Sequence, residues 1–217
     1  MKDDVKSEEE EDFVELIVSK IESDDETFKI EARAFLNQYR DLFSRKLNAV
    51  PAELPPLVIE VDETKFHVRA NQGPPRVMTS EKEIHMKKFI AEGLASNVIR
   101  PSNVAYYSQV HLVSKPTDEK VKKNGEITPI TPRKWRTTID YRKFNKCITT
   151  QHWPLPNISQ MISRIGSKRP KYFAKLDMTS GYWQASLAEE SKKYSAFITF
   201  LGIFEWNRAP MGTQPAG

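Results

Sequence analysis

A chain of 217 residues holds one large domain or two small ones, and its one cysteine, Cys147, excludes an internal disulfide and any thiolate-built metal site. The opening MKDDVKSEEEED is acidic where an export signal is basic and then apolar, and no apolar run reaches the ~18 residues of a membrane span, so the sequence reads as soluble and not exported. Net charge is +4, but residues 1–26 carry twelve acidic and three basic side chains, against 17 acidic and 30 basic in the rest; a body this basic suits a polyanion partner or is a lysine-rich solvated surface.

The run Glu8 to Asp12 repels itself, so residues 1–22 are expected to be an acidic disordered tail, with partial helix admitted over 12–21 around the short apolar run Phe13 to Ile17. Residues 23–56 follow as an amphipathic helix and a Pro-rich connector. Phe28, Ala32, Phe35, Leu36, Tyr39 and Phe43 recur at helical spacing, Ser23, Asp24 or Asp25 offers an N-cap, and Pro51, Pro55 and Pro56 close the segment. LVIEV (57–61) and KFHVR (65–69) read as two short strands around a turn. Ser80 and Glu83 have the spacing of a capping box ahead of a helix with the stripe Met86, Phe89, Ile90 and Leu94. The strands at 110–113 and KWRTTID (134–140) make a hairpin with a long basic tip between Lys115 and Lys134. Asn157 caps a helix bearing Ile158, Met161, Ile162 and Ile165 on one face. KYFAKLD (171–177), WQASL (183–187) and AFITF (196–200) complete the strands, the last turning at Leu201-Gly202 into IFEWN. Interleaved helices and strands without a repeat give an α+β fold class.

Asp177 ends an apolar strand before the tight turn Met178-Thr179-Ser180-Gly181-Tyr182. A carboxylate there suits Mg²⁺, which takes hard oxygen ligands, and equally suits a turn cap or an ion pair. His67, His85, His111 and His152 lack ligand spacing and read as surface or strand residues, and Cys147 reads as structural.

VHLVSKP, KWRTTIDYRKFNK, WPLPNISQMISRIG, YFAKLDMTSGYWQ and SAFITFLGIFEWNRAPMG follow one another closely. This order resembles the reverse transcriptases of gypsy-type LTR retrotransposons and, more distantly, of retroviruses, over roughly residues 30–217. The resemblance implies a right-hand polymerase, with fingers over 57–155 and a partial palm over 156–217. It makes Asp177 the first palm aspartate, binding two Mg²⁺ ions together with the backbone carbonyl of Met178. Tyr182 matches the steric gate against a ribose 2′-hydroxyl, Arg136 the triphosphate clamp, and Lys115 or Lys134 the fingers lysine on the γ-phosphate. Asp140, Arg142 and Asn145 match a template-binding segment, with an Asp140–Arg142 ion pair as the structural alternative. Pro210, Met211 and Gly212 match the loop beneath the incoming base pair. The partners implied are an RNA or DNA template-primer, deoxynucleoside triphosphates and the rest of a Pol polyprotein (palm, thumb, RNase H, integrase), with no membrane. The location implied is the cytoplasm, in a virus-like particle, or the nucleus.

The family's second acidic motif, an aromatic-x-Asp-Asp hairpin, does not follow Asp177; Asp24-Asp25 lies upstream in a helix-cap context. The expectation is therefore a fold truncated before its second catalytic carboxylate motif, inactive as this isolated chain. The alternative is a non-catalytic nucleic-acid-binding remnant of a decayed element.

Overall fold

The computed structural model describes residues 13–42, 47, 49–67, 73–114, 135–149, 154 and 156–214, in two compact units divided after Leu47. Phe43, Lys115, Lys134, His152 and most of the hairpin tip lie outside the described residues. Among the described residues no helix is long and apolar enough to cross a membrane.

The first unit is a helix pair, α1 (Phe13–Ser19) and α2 (Glu26–Gln38). Residues 13–19 of the expected tail are helical, the partial helix admitted over 12–21. Val14 and Val18 bury against Leu36, with Ile17 and Ile21 partly buried beside them, enough apolar surface to order a stretch that the flanking carboxylates obscured. Arg33 clamps Glu15 with two hydrogen bonds of 2.7 and 3.0 Å. Asp25 is the N-cap of α2, accepting from the Phe28 amide at 3.1 Å. Phe35 and Tyr39 of the expected stripe are exposed.

The second unit is built on α3 (Glu63–His67), α4 (Ser80–Ala95), β1 (Ile99–Pro101), β2 (Ser108–Ser114), β3 (Trp135–Asp140), α5 (Arg142–Asn145), α6 (Ile158–Ser167), α7 (Gly181–Gln184), α8 (Glu189–Lys192), β4 (Phe197–Thr199) and β5 (Gly202–Trp206). The five strands form one sheet in the order β1-β5-β4-β2-β3, antiparallel except where β2 and β4 run parallel. Helix α4 lies against β1 and β3, with Met86 and Ile90 buried and Leu94 exposed. Gly93 permits that approach, since a Cβ there would sit 2.9 Å from the Ile99 side chain. Phe197, Phe204, Trp206 and Trp183 stack through the sheet core, and Phe66 joins Phe144 and Tyr194 edge to face.

Several expected elements differ. Residues 63–67 are helix where KFHVR read as strand: Asp62 accepts from the Thr64 amide and hydroxyl and the Lys65 amide, an N-terminal capping arrangement that outweighs alternation over five residues. Helix α4 takes Thr79, not Ser80, as N-cap, with no side-chain cap bond. WQASL is not a strand: Trp183 and Gln184 are in α7, and Ser186 and Leu187 make only isolated bridges to Arg208 and Leu57. KYFAKLD forms no strand, and every residue from 171 to 180 is exposed; a strand requires a ladder partner, and none runs beside it among the described residues. Helix α6 forms where expected, Asn157 capping it through the Gln160 amide at 3.1 Å, yet Ile158, Met161, Ile162 and Ile165 are all exposed.

Candidate nucleic-acid and nucleotide site

Strands β2 and β3 pair over six residues, from Gln109 opposite Asp140 to Ser114 opposite Trp135. The register leaves Arg136 exposed opposite Val113, with no hydrogen bond or ion pair among the described residues. At the other end of β3 the chain turns through Tyr141 into α5. Tyr141 is buried and its hydroxyl donates to the Ser195 carbonyl at 2.7 Å, while Phe144 is fully buried. These anchors turn Asp140, Arg142 and Asn145 toward an open groove of about 460 Å³ shared with Arg76, His111 and Gly212.

Within the groove the Arg142 guanidinium donates to both Asp140 oxygens, at 2.8 and 2.7 Å. That hydrogen bonding, with the Arg142 amide and the Arg76 charge adding to it, holds the Asp140 carboxyl down at about 2. Arg76 reaches the same carboxylate at 3.6 Å and the His111 ring at 3.3 Å. Asn145 spends its amide on the 212–214 turn: Nδ2 donates to the Gly212 carbonyl at 3.0 Å, and Oδ1 accepts from the Gln214 amide at 3.2 Å. Gly212 sits at φ 94°, a left-handed conformation that disfavours a Cβ, and Met211 beside it is exposed.

Asp177 and Met178 are exposed on the segment ahead of α7. Ser180 takes φ 51°, reversing the chain so that the Trp183 amide donates to its carbonyl at 2.7 Å. Gln184 Nε2 closes the turn on the Thr179 carbonyl at 2.9 Å. Tyr182 stands on this turn with its side chain partly open to solvent. Among the described residues no three His, Cys, Asp or Glu side chains gather as a metal site. Asp177 offers a hard anionic oxygen that fits Mg²⁺ as one ligand, and it does not make a complete site.

The fold thus joins Asp140, Arg142, Asn145 and Gly212, drawn from separate sequence segments, around one groove. Among the described residues no hydrogen bond or ion pair ties Asp177, Met178, Tyr182 or Arg136 to it. Lys115 falls outside the described residues. The Asp140–Arg142 pair, offered in the sequence as the structural alternative, is formed. Arg76 was missed: it lies in an irregular stretch before α4, and only the tertiary fold sets it beside Asp140. His67 pairs with Glu63 at 2.9 Å, and His85 meets the Thr137 hydroxyl at 3.2 Å.

The sequence profile described as "Reverse transcriptase (RNA-dependent DNA polymerase)" matches residues 121–217. The chain is 28% identical, over 88% of its length, to the retrovirus-related Pol polyprotein from transposon 412 of Drosophila melanogaster, and 29% identical over 84% to that from transposon opus of the same species. It is 33% identical over 59% to the enzymatic polyprotein of cauliflower mosaic virus (strain Strasbourg). It spans 14% of the transposon 412 polyprotein and 17% of each of the other two. Among solved structures it resembles the prototype foamy virus protease-reverse transcriptase with a TM-score of 0.67 at 20% identity, covering 94% of this chain and 24% of that one. A foamy viral protease-reverse transcriptase in complex with double-stranded DNA matches with a TM-score of 0.63, covering 93% of this chain and 32% of that one. The fold is a partial reverse-transcriptase fold, and over residues 121–217 the chain matches the reverse-transcriptase family and is similar to segments of retrotransposon Pol polyproteins.

Proposed function

We propose that this segment handles template and nucleotide for an RNA-directed DNA polymerase of gypsy type, transferring nucleotides to a primer 3′-hydroxyl. The observation that carries this reading is the groove where the Asp140–Asn145 segment meets the Met211-Gly212 loop. Arg142, with its side chain 86% exposed, has donors left over from Asp140 for a template phosphate. Arg136 is free to grip a triphosphate with its planar fork, and Lys115 is the lysine assigned to the γ-phosphate. The Tyr182 ring excludes a 2′-hydroxyl by contact, and Met211 with Gly212 forms the floor under the incoming base. Asp177, with the Met178 carbonyl, would hold two Mg²⁺ ions jointly with other ligands; when bound, they activate the 3′-hydroxyl and neutralise charge on the attacked phosphate. Fingers over 57–155 and palm over 156–217 describe the division of labour. Template-primer, deoxynucleoside triphosphates and the thumb, RNase H and integrase parts of a polyprotein are the partners, in a cytoplasmic virus-like particle or the nucleus.

A second reading, a nucleic-acid-binding remnant without catalysis, is favoured by one observation: among the described residues no group of three His, Cys, Asp or Glu side chains gathers as a metal site, at Asp177 or elsewhere. One experiment separates the two. The chain alone should bind template-primer and extend nothing, because one carboxylate cannot hold two dications against their mutual repulsion. A polymerase carrying this segment together with an Asp-Asp hairpin should extend a primer on RNA with Mg²⁺, and Asp177→Asn should abolish incorporation while leaving template affinity nearly unchanged. Wild-type incorporation by Asp177→Asn would overturn the metal assignment.

A further inference from the structure

We infer that Arg208 is a positioning residue for the turn that carries Tyr182, and that it works by strapping the connector 49–57 beneath that turn. Arg208 is 1% exposed, an unusual depth for a guanidinium, and its donors are directed at backbone carbonyls on two distant segments. Nη1 donates to the Trp183 carbonyl at 2.8 Å, in the residue after Tyr182, and Nη2 donates to the Ala49 carbonyl in the connector. The connector has its own bonds to the same stretch. Ala52 N–H donates to the Gln184 carbonyl at 2.8 Å, Leu57 N–H to the Ser186 carbonyl at 2.8 Å, and Ala188 N–H to the Leu57 carbonyl at 2.9 Å.

The turn itself has few internal holds. Helix α7 is a single turn, entered through a left-handed serine, and the segment before it is exposed and belongs to no strand. A four-residue helix is marginal without tertiary support. Beside the stacking of Trp183 on Trp206, the support comes from Arg208 and the connector, placed where the carbonyls of Trp183 and Gln184 need donors. A connector that reads in sequence as a spacer is therefore part of the platform on which Tyr182 stands. Residues 130 positions upstream set how firmly that ring is held.

This inference rests on Tyr182 being the gate against ribonucleotides, so its test has one arm that depends on that assignment and one that does not. The independent arm is hydrogen exchange in the chain itself. Ala52→Pro, at an exposed position, deletes one connector donor without touching the core, and Arg208→Met deletes the strap. Each should speed exchange of the Trp183 amide by about three- to tenfold per bond lost, with Arg208→Lys recovering part of the protection. Met86→Ala, a core variant away from this contact, should not change that amide selectively. The dependent arm is discrimination between deoxy- and ribonucleotides by the polymerase carrying this segment. Ala52→Pro and Arg208→Met should lower it about threefold or more, with template affinity within twofold of wild type. If Arg208→Met does not fold, Ala52→Pro decides. Unchanged Trp183 exchange in both variants overturns the strap. Unchanged discrimination in both, where Tyr182→Ala does lose it, overturns the positioning role. If Tyr182→Ala itself keeps discrimination, the gate assignment falls, and with it the positioning role, whatever exchange reports on the strap.

Discussion

Asn145→Ala tests whether the fingers segment and the 211–214 loop act as one piece. The amide makes two hydrogen bonds to the loop, at 3.0 Å to Gly212 and 3.2 Å to the Gln214 N–H. Both are neutral and partly solvated, so each contributes near the lower end of the usual 0.5–1.5 kcal/mol, or about 1–2 kcal/mol together. Losing the clamp should therefore cost about 1–2 kcal/mol in urea unfolding, read as a lower midpoint at unchanged slope. It should also raise the nucleotide KM of the polymerase more than it weakens template binding. Asn145→Asp keeps the acceptor for Gln214 but turns a carboxylate oxygen toward the Gly212 carbonyl, so it should be at least as damaging at neutral pH. A tenfold loss of template affinity with stability and nucleotide KM unchanged would refute this reasoning, because it would make Asn145 a template ligand and not a clamp.

Two further outcomes are expected. Asp140 is held at about 2 by Arg142, below its ordinary value near 4, so its contribution to stability is complete above the unfolded value and disappears as pH falls toward about 2; Arg142→Ala should bring its titration, followed by carboxyl NMR, back toward the ordinary value. Template-primer binding by the chain should be insensitive to sequence and fall steeply between ~50 and ~200 mM salt, measured by fluorescence anisotropy; a flat dependence would remove the electrostatic account of the basic body.

The hairpin was legible because Val110, Leu112 and the WRTTID alternation depend on period two alone, and α6 was legible from Asn157 and its stripe. What those patterns do not encode is the partner. The α6 stripe has helical spacing whether or not anything covers it, and KYFAKLD has strand composition whether or not a ladder forms. α3 was missed because Asp62 acts through its own neighbours' amides, a capping effect that hydrophobic pattern does not register. For the site, the motif order identified Asp140, Arg142, Asn145 and Gly212, and the groove gathers them. Arg76, the loop clamp and Arg208 depend on contacts across 25 to 159 residues, which no local spacing carries.

The seam between β2 and β4 is two residue pairs long, Ser108 with Phe197 and Gln109 with Ile198, whereas the β2–β3 hairpin beyond it is zipped over six. The two-stranded arm is therefore hydrogen-bonded to the rest of the sheet only at a narrow root, and α4 braces it from the β3 side. Arg136 lies four residues out from that root, about 13 Å along the strand at ~3.3 Å per residue. At that lever length each ~10° of tilt at the root carries its guanidinium roughly 2 Å, about the difference between a direct contact and a water-bridged one.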